Sequence, residues 1–171
     1  KKRDKKKFKL LYDNDEEGRL QYDKLNKKTY DKIETVHHFV VDAQNTAFSG
    51  QKNAKPNIEI EDLIYPEIIL ELSNEIFSKK KGFKKINEKK FLKKVSNQSL
   101  RFNGILEILD TLKNEANPDF GLQLSTKDNS FKGGISNLFI IKGNQEMIKK
   151  IQILDIKYPE VKTFLTKLMN A

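Results

Sequence analysis

Along the chain, apolar positions recur with two periods. A short apolar run, Phe8, Leu10, Leu11 and Tyr12, is cut off by Asp13, Asn14 and Asp15. A helix-like pattern follows over Glu16 to Lys27, with Leu20, Tyr22 and Leu25 on a face suited to lying across a sheet. The order predicts a strand that hands over to a helix, with the acids at the junction. Thr35 to Val41, rich in β-branched and aromatic residues, predicts a second strand, and its density of apolar residues predicts a central one covered on both faces. Ile58 and Ile60 alternate with Glu59 and Glu61, the period of a short strand with isoleucines on one face, glutamates on the other and Asp62 at its exit. An edge strand with a solvated acidic face is the competing reading of that segment.

From Pro66 onward the period is helical. Pro66 suits a first helical position, with Ile68, Ile69, Leu72 and Ile76 as the buried stripe. Lys79 to Lys94 is dense in lysine, with Phe83, Ile86, Phe91 and Leu92 interspersed. Phe102, Ile105, Leu106, Leu109 and Leu112 predict an amphipathic helix that stops at Asn117-Pro118. Phe131-Lys132-Gly133-Gly134 puts a lysine at a flexible glycine pair. Two closing helices are predicted, one after Asn144 with Met147, Ile148, Ile151 and Leu154 inward, and one from Pro159 with Val161, Phe164, Leu165 and Leu168 inward. Between the strands and helices, Asp42 to Asn57 is polar and aperiodic, with Gly50 and Pro56, and reads as a long loop, either closing over a substrate or a disordered insertion. The expected fold is α/β: a small, mainly parallel sheet with flanking helices, residues 1–78 forming the core, and a helical second half, 79–171, packed on the same domain.

Composition narrows the function classes. The chain has 171 residues, a size that normally forms one domain with a sizeable core. It has no cysteine, which excludes disulfides and thiolate chemistry and makes a reducing cytoplasm the natural setting. No apolar run approaches the roughly 18 residues that a membrane span requires. The net charge of +9 permits nucleic-acid binding by phosphate neutralisation, and Lys84, Lys85, Lys89, Lys90, Lys93 and Lys94 form a candidate strip along a phosphate backbone, or else a solvated lysine face. Lys1 to Lys7 is almost entirely charged and reads as a solvated entry to the first strand; a start without methionine suggests part of a longer protein. His37 and His38 are neighbours on a strand, point to opposite faces and cannot chelate one ion together.

The candidate chemistry lies in the acids. Asp13 and Asp15, two residues apart across the turn, have both carboxylates available to one hard cation, with Glu17 a third candidate on the first helical turn. The same residues also suit a plain helix start, with Asp15 or Asn14 as N-cap and Glu16 and Glu17 facing the positive end of the helix dipole. A second acidic strand end at Glu61 and Asp62, beside the first, is what a two-metal centre needs.

Asp13-Asn14-Asp15-Glu16-Glu17-Gly18 resembles the Asp-x-Asp-x-x-Gly motif of Toprim domains, the metal-binding fold of topoisomerases, primases and a group of nucleases. Ile60-Glu61-Asp62-Leu63 with Tyr65-Pro66-Glu67 is similar to the second acidic motif of the overcoming-lysogenization-defect nucleases, in which an ATPase domain precedes the Toprim domain. The resemblance covers about the first third of the chain. It implies a divalent-metal-dependent DNA endonuclease, in the setting of anti-phage defence, with Asp13 and Asp15 binding one magnesium or manganese ion and Glu61 and Asp62 helping to bind a second. It further implies a lysine that neutralises charge on the phosphate, for which Lys132 is the choice and Lys93 and Lys94 the alternatives. DNA, an upstream ATPase region using ATP, and a homo-oligomer are the implied partners. Two departures stand beside it. There is no room before Lys7 for the upstream strand bearing a glutamate, and Leu11 occupies the place of a small hydroxyl residue. A topoisomerase or primase domain, or a catalytically silent binding module, are the alternatives.

Overall fold

The computed structural model describes residues 6–28, 33–47, 58–97, 104–119, 125–126, 129–141 and 145–171. The charged entry at 1–5, the segment 48–57 of the polar stretch, Phe102, and residues 120–124 lie outside them.

The architecture is mixed α/β and dominated by helices. Strand β1 (Lys6–Tyr12) leads into helix α1 (Glu16–Leu25) and then strand β2 (Ile33–Val40), which pairs with β1 in parallel, Leu10 opposite His38 and Tyr12 opposite Val40. A parallel neighbour needs a crossover element, and α1 is that element. One face of the pair is covered by α1 through Tyr22, whose ring stands edge-on to Tyr12 at 5.7 Å and to His38 at 6.2 Å. Leu20, placed inward by the periodicity, is 57% exposed, because so narrow a sheet gives α1 room to bury only Tyr22 and Leu25 in part. His38 accepts or donates one hydrogen bond with the Tyr12 hydroxyl at 2.9 Å, and His37 lies against Phe39. Among the described residues the sheet has two strands, so β2 is not the central strand that its composition predicts.

The segment predicted as a third strand makes only a single antiparallel bridge, Ile58 to Asn14. It then turns into a 3-10 helix over Ile60–Leu63. The reason is local: Glu59 and Asp62 form a reciprocal capping box that closes the backbone into a turn, which a strand would have to break. Helices α2 (Pro66–Ser78), α3 (Glu88–Ser96), α4 (Ile105–Ala116), α5 (Asn129–Ile141), α6 (Gln145–Lys157) and α7 (Pro159–Asn170) complete the chain. Pro66 starts α2 and α4 ends at the residue before Asn117, as the sequence predicts.

The core lies around α2. Ile68, Ile69, Leu72 and Phe77 are buried from α2, Phe91 and Val95 from α3, and Ile105, Leu109 and Leu112 from α4. Phe131 of α5 stacks on Phe77 with ring centres 5.2 Å apart. The glycine pair predicted as flexible lies inside α5, and a Cβ on Gly134 would come within 3.1 Å of Ile76 Cδ1. Gly134 serves close packing of α5 on α2, which offsets its roughly 1 kcal/mol helix penalty, whereas a Cβ on Gly133 would meet nothing within 4 Å. On α6, Met147 and Leu154 are buried as expected, whereas Ile148 is 50% exposed. On α7, Val161 and Phe164 are buried, and Phe164 meets Phe39 edge-on at 6.3 Å, covering the second face of the sheet.

Candidate metal centre

Asp15 caps α1. Its Oδ1 accepts a hydrogen bond from the Gly18 amide at 2.7 Å, so the plain helix-start reading holds for this residue whatever else it does. Gly18 is required by space. A Cβ there would fall 2.0 Å from the Asp13 carbonyl oxygen, closer than any non-bonded contact allows, so the glycine lets the first turn of α1 fold back tightly on the end of β1.

The second acidic segment docks onto that same end. Asn14 N–H donates to the Ile58 carbonyl at 2.7 Å, and Ile60 N–H donates to Asp13 Oδ1 at 2.6 Å across 47 residues of sequence. Glu59 and Glu61 flank Ile60 and arrive with it. Lys132 comes from α5: its Nζ lies 2.8 Å from Glu61 Oε1 and 3.8 Å from Glu59 Oε2. Three distant parts of the chain therefore meet at the carboxyl end of β1: Lys132 contacts Glu61 and Glu59 and interacts with the charge of Asp13, while Asp15 adds its charge beside Asp13 and Glu59.

The electrostatics follow from this crowding. Burial raises the Asp13 pKa above its ordinary value; the Ile60 amide opposes this, Glu61 and Asp15 add to it, and Lys132 relieves part. Glu59 is raised as well, first by burial, with Lys132 opposing and the three neighbouring acids adding. Burial works against the charge on Lys132, but the hydrogen bond and charge of Glu61, with Glu59 and Asp13, outweigh it and hold the ammonium above its ordinary pKa.

Other predicted site residues are placed elsewhere. Asp62 is 1% exposed, and both its oxygens are taken by backbone amides, Oδ2 by Glu59 at 2.8 Å and Oδ1 by Ile105 at 2.7 Å. It ties the 3-10 turn to the first residue of α4. Glu59 stands where Asp62 was expected, and the Ile58/Ile60 alternation, which puts Glu59 on the same face as Glu61, was the signal for it. Glu17 is exposed and accepts from Gln21 at 2.8 Å on its own helix. In the lysine strip, Lys90 and Lys94 both pair with Glu115, at 2.6 and 3.0 Å. Lys84 is fixed through its backbone, which exchanges hydrogen bonds with the Asn117 side chain, while Lys85, Lys89 and Lys93 are exposed. Such exposed pairs are weak and leave the ammonium groups open to exchange partners.

Among the described residues, no three His, Cys, Asp or Glu side chains are gathered closely enough to hold a metal ion between them. No protein-family model, curated protein or solved structure matches this chain. Among the described residues no helix is long and apolar enough to cross a membrane.

Proposed function

We propose that the acidic centre at the end of β1 binds a divalent cation, magnesium or manganese, and serves phosphodiester hydrolysis on DNA, in the manner implied by the resemblance to Toprim nucleases. The observation that carries this reading is the meeting of Asp13, Asp15, Glu61 and Lys132 from three separate parts of the chain. A fold of net charge +9 has no shortage of lysines to scatter among its acids, yet here Lys132 serves Glu61, Glu59 and Asp13 together. Their donors are all oxygen, the type that hard cations prefer. Asp13 and Asp15 each spend one oxygen on a backbone amide, which fixes both carboxylates at the strand end. They would hold the cation, with water completing its shell, since magnesium commonly keeps several waters. The cation supplies Lewis-acid polarisation of a phosphoryl oxygen when bound.

The chain's own part is positional and electrostatic. The Asp13 and Asp15 carboxylates orient toward the site, Glu59 and Glu61 lie at its margin, and Lys132 offers positive charge to a phosphate entering beside them. Exposed lysines of the 84–94 strip add salt-sensitive attraction for the backbone. An ATPase region elsewhere in a longer protein, and assembly of several copies, belong to the same proposal through the resemblance alone. A second reading rests on the Lys132–Glu61 pair: a silent binding module in which the lysine is simply the permanent counter-ion of the acids. Nicking of supercoiled DNA in manganese separates the two, using protein that carries this chain. The nuclease reading expects Asp13→Asn and Asp15→Asn each to lower the rate by about 100-fold or more, the scale of lost electrostatic stabilisation. Cleavage at the wild-type rate in both variants places the active site elsewhere, and no cleavage by any of the proteins favours the silent module.

A further inference from the structure

A half-open apolar pocket of about 330 Å³ lies beside the acidic centre, between the end of β1, the 3-10 turn and helices α5, α6 and α7. Its volume falls at the low end of small-ligand sites, about 300–1,000 Å³, which suits one flat ring system. Leu63 and Tyr65 form buried wall, whereas Ile60 and Phe139 stand at the rim, 40% and 39% exposed. The two polar residues of the lining, Tyr65 and Asp155, are bonded to each other, hydroxyl to carboxylate at 2.5 Å. Every other lining side chain is apolar.

The pocket is continuous with the acidic centre. Ile60, at its rim, donates its N–H to Asp13 Oδ1 at 2.6 Å and stands between Glu59 and Glu61 in the chain. Leu11, in its wall, comes two residues before Asp13. On α5, Phe139 follows Lys132 by seven residues, close to two helical turns. Both therefore lie on one face of that helix, about 10 Å apart along its axis, and Lys132 is the residue that meets Glu61. A ligand that engages centre and pocket together needs a charged group at one end and a flat, largely apolar group at the other. A nucleotide carries both. The net charge of +9 favours a polyanion over a neutral apolar molecule, and the ring of Phe139 offers a surface on which any base stacks.

We infer that the pocket takes one unstacked nucleobase of a DNA strand whose neighbouring phosphate lies at the acidic centre. In a duplex the faces of each base are covered by its neighbours, so this base comes from an unpaired or extruded nucleotide. The substrate class that follows is DNA with unpaired nucleotides. Because the polar side chains of the lining are bonded to each other, the pocket holds a base by its face and is tolerant of sequence. The inference rests on the phosphodiester reading of the centre, which it narrows from DNA in general to single strands.

The test is fluorescence anisotropy of the whole chain with labelled oligothymidine and with an abasic strand of the same length, in calcium chloride, alongside DNA nicking in manganese. The thymidine strand should bind at least about tenfold more tightly than the abasic one, the scale of one base–aromatic stack. Phe139→Ala should remove that difference while leaving the affinity for the abasic strand unchanged, and Phe139→Tyr, which keeps a ring, should preserve it. Equal affinity for the two strands would overturn the inference, as would a preference for thymidine that Phe139→Ala leaves intact. A dimer that Phe139→Ala dissociates in sedimentation, with no base preference, would give the pocket to a second copy of the chain instead. The nicking arm keeps the two readings apart. Base-dependent binding by a protein that nicks no DNA upholds the pocket and overturns the hydrolysis, whereas nicking without base preference does the reverse.

Discussion

Replacing Asp62 by asparagine isolates what a buried carboxyl does when it joins two elements. Both of its oxygens accept backbone amides, from Glu59 at 2.8 Å and Ile105 at 2.7 Å, and its side chain is almost wholly removed from water. An amide keeps one acceptor and turns an N–H toward the other donor, so one buried backbone amide loses its partner, a loss of about 2 kcal/mol. Against this stands the titration. Burial, the largest influence, pushes the Asp62 carboxyl from 3.8 up to about 7, although both amides oppose it. Between those values the native state binds the proton and the unfolded chain has lost it. Stability from this group is therefore highest below pH 4, falls as the pH rises, and is lower by about 4 kcal/mol above pH 7. The variant has no such dependence, and groups that titrate alike in both proteins cancel in the difference. Asp62→Asn should be less stable than wild type by about 2 kcal/mol at pH 4, on the scale of one lost hydrogen bond. The gap should close and reverse sign by about pH 8 on the linkage above. Urea unfolding followed by far-ultraviolet circular dichroism at a series of pH values measures it. A gap that widens as the pH rises would refute the reasoning, because it would mean that the two amides and the start of α4 stabilise the ionised carboxylate more than burial penalises it.

Other substitutions probe the same framework. Gly18→Ala puts a Cβ 2.0 Å from the Asp13 carbonyl oxygen and should destabilise the fold by about 1–3 kcal/mol in urea unfolding while weakening cation binding, despite alanine's better helix propensity. Lys113 is 1% exposed and pairs with Asp110 at 2.7 Å over the ring of Phe77. Lys113→Met should change stability by less than about 1 kcal/mol, whereas Asp110→Ala, which takes the carboxylate from a buried ammonium, should cost about 3–5 kcal/mol; both are read by thermal unfolding. Lys132→Met removes the ammonium that faces Glu61, Glu59 and Asp13, so manganese affinity should rise severalfold in calorimetry while DNA nicking falls. A fall in both would make Lys132 a support for the site's shape instead.

Local chemistry was readable in the sequence; long-range choice was not. The end of β1 could be placed because Asp13-Asn14-Asp15 breaks an apolar run, and the start of α2 and the end of α4 because proline and its preceding residue restrict the backbone. The Ile58 to Asp62 alternation predicted a strand, yet the Glu59–Asp62 capping box closes a turn, and two patterns written on the same five residues cannot be ranked without knowing that Ile105 waits to bond Asp62. Gly133-Gly134 has the composition of a turn and becomes helix because Phe131 stacks on Phe77 and Gly134 packs on Ile76. Among so many lysines, nothing local distinguishes Lys132. Its place beside Glu61 is set by how α5 lies on α2, which is a property of the packed core.

Manganese titration of the purified chain, observed by paramagnetic broadening of assigned amide signals, tests the central claim most directly. Binding at the end of β1 predicts saturable, selective broadening of Asp13, Asp15, Gly18, Ile60 and Glu61, displaced by magnesium and abolished by Asp13→Asn, with the signals of α3 and α7 unaffected. Broadening spread over acidic residues throughout the surface, or unchanged by Asp13→Asn, would contradict a metal centre at this site.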